Sequence, residues 1–144
     1  MDAEVKVRVV ADGNTDPRGG ALIVFFADVP GAEGDRDRRG FPVRNNAGGQ
    51  LMLEPNFHTA RAYPNGPWRG PLSHPALRPA GQPNVLKFRV KRRTLEIFAD
   101  GQRVGEPIAF DWDLTPATIS LGADSWSGIV RAEFDRIEVR AIDP

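Results

Sequence analysis

In TLEIFADG, Glu96 and Phe98 stand two residues apart while Leu95, Ile97 and Ala99 fill the alternate positions. In an extended segment this spacing puts a carboxylate and an aromatic ring on one face and the apolar residues on the other. Thr118 and Ser120 alternate in the same way with Ile119 and Leu121. A carboxylate, a hydroxyl and a ring suit sugar recognition, because hydroxyls take hydrogen bonds while a ring packs against apolar C–H faces. Trp126 follows Ala123-Asp124-Ser125, and Trp68 lies in Asn65-Gly66-Pro67-Trp68-Arg69. Both sit beside turn-forming residues, where an indole either stacks on a ligand or anchors a loop. Trp112, between two aspartates, reads instead as packed against a sheet. His58, with Asn56, Arg61 and Tyr63 near it, has the residue types of a general base or a ligand contact. An isolated histidine serves more often as a hydrogen-bonded structural residue, and His74, in Ser-His-Pro, has no partner in sequence.

Other chemistries find little support. Asp28, Glu33, Asp35 and Asp37 crowd one segment, but Arg36, Arg38 and Arg39 interleave with them and the ligand spacing of a calcium loop is absent. No cysteine and no clustered histidine offers a transition-metal site. No glycine-rich dinucleotide turn, phosphate loop or nucleophile elbow occurs, so neither a metal nor a cofactor is expected. Lys plus Arg and Asp plus Glu each number 19, leaving a formal charge of zero and no global field for nucleic acid. The basic alternations at 87–93 and 131–140 lack interleaved aromatics and read as the solvated face of an outer sheet. No apolar run reaches membrane-spanning length, so no membrane insertion is expected. A strand starting right after Met1 fits either a compact bacterial-style domain or, the reading favoured, a module cut from a longer extracellular or periplasmic parent with flanking domains, and the compartment itself stays open.

The elements that would position these residues are strands. Residues 84–104, NVLKFRVKRRTLEIFADGQRV, alternate apolar Leu86, Phe88 and Val90 with Lys87, Arg89 and Lys91, turn tightly at Arg92-Arg93, and close at Asp100-Gly101. Asp-Gly supplies the positive φ angles that a reversing chain needs. Phe88 is therefore expected in the core and Arg89 on the solvated face, where its removal should matter little. EVKVRVV puts Val5, Val7 and Val9 on one face, and ALIVFFADV is apolar almost throughout, as in a strand buried on both faces. Pro30 to Gly49 reads as a long polar loop, while QLMLE and FHTARAY are candidate strands. Residues 64–83 carry six prolines and read as a surface crossing. IAFDWDL, ATISLGA and IVRAEFDRIEVRAI follow as strands, the last with Ile129, Phe134, Ile137 and Val139 inward and a slip near Ala132. With no convincing helix, the expectation is an all-β fold, a two-sheet antiparallel sandwich forming one domain over residues 1–144, with strand 4–10 beside strand 133–142.

EVKVRVVADGNTDPRGGALIVFF, the segment from Asn84 to Asp100-Gly101, and the closing TISLG and AEFDRIEV resemble the concanavalin A-like lectin/glucanase jelly roll, and within it laminin G-like and 3-keto-disaccharide hydrolase-like domains. The resemblance spans residues 4–142 and concerns strands and turns rather than chemistry. The paired acidic motif of laminarinase-type members has no counterpart, which disfavours two-carboxylate glycosidase chemistry. The resemblance implies a convex sheet of EVKVRVV, VLKFRVKR and the terminal strand, and a concave sheet that includes ALIVFF, TLEIFADG and ATISLGA. Glu96, Phe98 and Ser120 would then share the concave face, with Trp126 and Trp68 at its rim and His58 and Arg61 of FHTARAY as further ligand-binding candidates. On this basis the first expectation is a non-catalytic carbohydrate-binding or adhesion module. The alternatives are an enzyme on keto-disaccharides with His58 or Glu96 as base, and a structural or protein-interaction domain.

Overall fold

The computed structural model describes residues 1–10, 16–27, 39–53, 69–110, 113, 118–125 and 128–142. Among these the secondary structure consists of strands: β1 (Asp2–Val9), β2 (Gly20–Ala27), β3 (Arg39–Asn46), β4 (Leu51–Leu53), β5 (Arg69–Leu72), β6 (Pro83–Lys91), β7 (Thr94–Ala99), β8 (Gln102–Arg103), β9 (Ile108–Ala109), β10 (Thr118–Asp124) and β11 (Ala132–Arg140). They form two antiparallel sheets, in agreement with the expected all-β sandwich. The terminal sheet runs β11-β1-β6-β7-β8, with β9 also on β7; the second sheet runs β10-β2-β3-β4-β5.

β1 lies between β11 and β6, so the strand near the N-terminus does neighbour the one near the C-terminus. Its alternation is realised strictly: Val5, Val7 and Val9 are buried, while Glu4, Lys6 and Arg8 are exposed. Leu86, Phe88 and Val90 of β6 and Leu95, Ile97 and Ala99 of β7 continue that inward face. Ala21, Ile23 and Phe25 of β2, Val43 of β3 and Leu51 and Leu53 of β4 oppose it from the second sheet. The two layers meet where Phe25 and Phe88 pack edge to face, ring centroids 5.1 Å apart. Each large apolar side chain buried here contributes roughly 1.5–3 kcal/mol of transfer free energy, which is how a chain without disulfides is held. Asp100 and Gly101 have φ of 47° and 79°, and they turn β7 into β8 as the Asp-Gly pair predicts.

A polar latch closes one end of the sandwich. Asn84 is 2% exposed on β6 and donates from Nδ2 to Asn45 Oδ1 of β3 at 3.1 Å, linking the sheets through the interior. The same amide donates to the Arg78 carbonyl at 2.9 Å, and its Oδ1 accepts from the Arg78 amide at 2.8 Å. It thereby fixes the segment that carries buried Ala76 and Leu77.

Three expectations are corrected. Residues 39–46, assigned to a polar loop, form β3, a central strand of the second sheet. Arg44, Asn45, Asn46 and Pro42 disguise it, although Pro42 pairs with Val24 of β2 and the next residues pair with β4. The irregularity in β11 falls at Asp135, since Lys6 pairs Arg136 and Val7 pairs Phe134, and Ile129 is 62% exposed rather than inward. Finally, β7 joins the terminal sheet and not the sheet of β2 and β10. The proline-rich crossing does contribute β5, but at a sheet edge, where Pro71 costs no central ladder bond. FHTARAY lies outside the described residues.

Candidate functional site

The outer face of the terminal sheet collects the charges that its inward alternation excludes. Register places Arg140, Asp2, Arg89 and Glu96 side by side across β11, β1, β6 and β7, a row of alternating sign. Asp2 is the hub: Arg89 donates to it from Nε at 2.9 Å and Nη2 at 3.2 Å, and Lys87 Nζ lies 3.1 Å away. These hydrogen bonds, that of Arg89 first, hold the Asp2 carboxyl below the usual carboxylate range despite the opposing effect of burial, and Asp2 in turn raises Arg89. The guanidinium so fixed stands 5.6 Å from the centroid of the Phe98 ring, in cation–π range. Glu96, beside it, is approached by Arg103 Nη1 of β8 at 3.7 Å. A half-buried aromatic ring is thus framed by a carboxylate and by cations whose orientations are set by partners of their own.

The same face is furrowed along β1 and β11. A cavity of about 390 Å³ is lined by Lys6, Val7, Arg8, Pro83, Glu133, Phe134 and Asp135. A second, of about 210 Å³, shares Lys6 and Asp135 with it and adds Glu4, Val85, Arg136 and Glu138. A third, of about 70 Å³, continues past Glu4 and Glu138 to Asp2, Lys87 and Arg140. The largest falls within the range of small-molecule sites. Its walls are ion-paired, Lys6 to Asp135 at 3.2 Å and Arg8 to Glu133, so they present oriented donors and acceptors.

The expected site is only partly assembled. Glu96 and Phe98 share a face as their spacing predicts, but Ser120 does not join them: it lies on β10 of the second sheet, opposite Val24 of β2. The supposed concave face therefore splits between two layers. The cause is the turn at Arg92-Arg93, which pairs Lys91 with Thr94 and keeps β7 beside β6. Trp126, Trp68, His58 and Arg61 lie outside the described residues.

Two residues that sequence reasoning passed over organise these surfaces. Asp2 was hidden by its position at the very start of β1, and only the register with β6 reveals its partners. Arg44 sits in the segment misread as a loop; it is fully buried, donating from Nη2 to Asp124 Oδ2 of β10 at 2.8 Å and from Nη1 to the Arg18 carbonyl at 3.4 Å. The ion pair spans β2 and ties the turn at residues 16–19 to the second sheet. It is a fastening, since a covered guanidinium offers nothing to a ligand. Among the described residues no group of three or more His, Cys, Asp or Glu is placed to hold a metal ion, and no helix is long and apolar enough to cross a membrane.

No family model matches the chain, and no curated protein matches it in sequence. Solved structures do match in shape. Sheep galectin-11 in complex with glycerol aligns with a TM-score of 0.53 at 20% identity, covering 95% of this chain and 86% of its own. At that identity the likeness concerns the fold alone, a two-sheet antiparallel jelly-roll sandwich, and does not reach the finer laminin G-like or hydrolase-like assignment.

Proposed function

We propose that the protein is a non-catalytic carbohydrate-binding module whose ligand face is the outer face of the terminal sheet. The observation that carries this reading is the fixed arrangement of Phe98, Arg89, Glu96 and Arg103. Sugars offer axial and equatorial hydroxyls around apolar C–H patches. A ring bordered by oriented donors and acceptors matches that chemistry at low entropic cost, because Asp2 already holds the Arg89 guanidinium still. The furrow along β1 and β11 extends the surface with further ion-paired donors and acceptors, as a chain of several sugar units would require. The galectin neighbour holds glycerol, a polyol, which is consistent with this class of ligand. Glu96, engaged by Arg103 and beside Arg89, is set up as a hydrogen-bond acceptor.

Calorimetry against a panel of polysaccharides and oxidised disaccharides tests the proposal. Phe98→Ala should weaken binding by roughly 1–3 kcal/mol while leaving the fold intact by circular dichroism. Glu96→Gln should weaken it modestly, because the amide keeps an accepting oxygen. Loss of turnover with retained binding in Glu96→Gln would mark an enzyme instead, and no binding by the unmutated protein would remove the sugar reading altogether.

A further inference from the structure

β11 is the outermost strand of the terminal sheet, and among the described strands it pairs with β1 alone. Ile137 and Val139 lie opposite Val5 and Ala3, two core residues, so their side chains point to the interior side of the sheet. Yet they are 44% and 53% exposed. β10, the edge of the second sheet, precedes β11 in the chain, so among the described strands both sheets end on the same side. Ile129, 62% exposed, belongs to that connection. An edge strand whose interior face is exposed at Ile137 and Val139, while Ala132 and Phe134 pack on the core, is a template for another strand.

The charges on the other face of β11 say which strand. They read Arg136, Glu138, Arg140, with Glu138 bridging to Arg136 and, at 2.7 Å, to Arg140. β1 matches them poorly, setting Glu4 opposite Glu138 and Lys6 opposite Arg136, like against like. A second β11 running antiparallel about an axis at Ile137 does the reverse. Each Arg136 then faces the other copy's Glu138 and the two Ile137 side chains meet on the apolar side, the pairing being regular from Arg136 to Glu138 and interrupted beyond it by the bulge at Asp135. Pairing about Glu138 would set identical charges opposite each other, and pairing about Val139 would run beyond the strand. We infer that β11 is a self-association edge, at which two copies of this chain join their terminal sheets into one continuous antiparallel sheet across a two-fold axis. The contact is small, as in weak, transient associations.

Sedimentation velocity on the full chain between about 1 µM and 1 mM tests this. A concentration-dependent monomer–dimer equilibrium is expected, and Ile137→Lys should abolish it with the thermal melt preserved. Arg136→Glu should weaken association at least about tenfold, since it sets carboxylate against carboxylate on both sides of the axis. The double exchange Arg136→Glu with Glu138→Arg should restore it to near the original constant, because the swap remains self-complementary. It also places opposite charges across from Glu4 and Lys6, so folding is not at risk in this variant. A monomer at every concentration, a dimer indifferent to Ile137→Lys, or a double exchange that fails to recover association would each overturn the inference.

Discussion

Replacing Asn84 by alanine removes the latch between the sheets, and the structure allows its cost to be worked out. Asn84 makes a bond to Asn45 Oδ1 in the interior and two to the backbone of Arg78. A typical intramolecular hydrogen bond contributes about 1 kcal/mol net, and a buried group left unsatisfied costs about 1–3 kcal/mol. Asn45 is 1% exposed and its Nδ2 has no hydrogen-bond partner among the described residues, so losing the bond to Oδ1 strands the whole amide in the core. Arg78 is exposed, so water can replace its two lost partners and their contribution should be halved. The sum is about 2–4 kcal/mol, large against the total stability of a domain of this size. Urea melts give the measurement, with the slope checked for two-state behaviour. In an Asn45→Ala background the cost of Asn84→Ala should fall by about 1 kcal/mol, the coupling expected of residues that share a hydrogen bond. A loss below about 1 kcal/mol for the single variant, or additivity in the double, would refute the view that this amide holds the two sheets together.

Phe88→Ala, at the Phe25 contact where the layers meet, should cost about 3–5 kcal/mol in the same assay; a loss near that of a surface change would mean that the sheets do not meet there. Arg89→Ala should cost about 1 kcal/mol rather than the near-zero expected of a solvated face, because Asp2 keeps only Lys87 and the Phe98 ring loses its cation. The depressed Asp2 carboxyl contributes stability that is present above its unfolded value of 3.8 and is lost as pH falls below it. The stability gap between the natural chain and Asp2→Asn should therefore be fullest near neutrality and close below pH 3.8, and a gap independent of pH would place Asp2 outside the ion-pair network.

Period-two patterning carried most of the architecture. Val5, Val7 and Val9 against Lys6 and Arg8, and Leu86, Phe88 and Val90 against Lys87 and Arg89, each fixed a face and a strand together, and the facing residues fell where the pattern put them. It failed where a strand is not patterned by water. β3 carries Arg44, Asn45 and Asn46 and is nonetheless buried, because ion pairing and amide bonds satisfy them: Arg44 with Asp124, Asn45 with Asn84. No local signal distinguishes such a strand from a polar loop, since the partners that make burial affordable are supplied from strands 39 and 80 residues away in sequence. β11 failed in the opposite sense. Its apolar residues point inward as read, but pattern reports orientation and not whether a second layer covers the strand.

The misassembled site has a different origin, because the information that corrects it was local. The alternation of Lys87, Arg89 and Lys91 and that of Glu96 and Phe98 belong to strands separated by Arg92-Arg93, with Arg92 at φ 48°. A turn that short spans the roughly 5 Å between neighbouring strands and not the roughly 10 Å between packed sheets. Glu96 and Phe98 therefore had to share a sheet with Lys87 and Arg89, whatever fold the chain resembled, and could not share one face with Ser120 unless β10 lay in that sheet too. Taking sheet membership from turn length before family likeness would have put Phe98 beside Arg89 rather than beside Ser120. The aromatic ring, the carboxylate and the cation that now define the candidate ligand face are within ten residues of one another in the chain, on one hairpin. What that hairpin could not disclose is Asp2, the residue that holds the cation in place: it lies 87 residues from Arg89 and reaches it only because β1 pairs with β6.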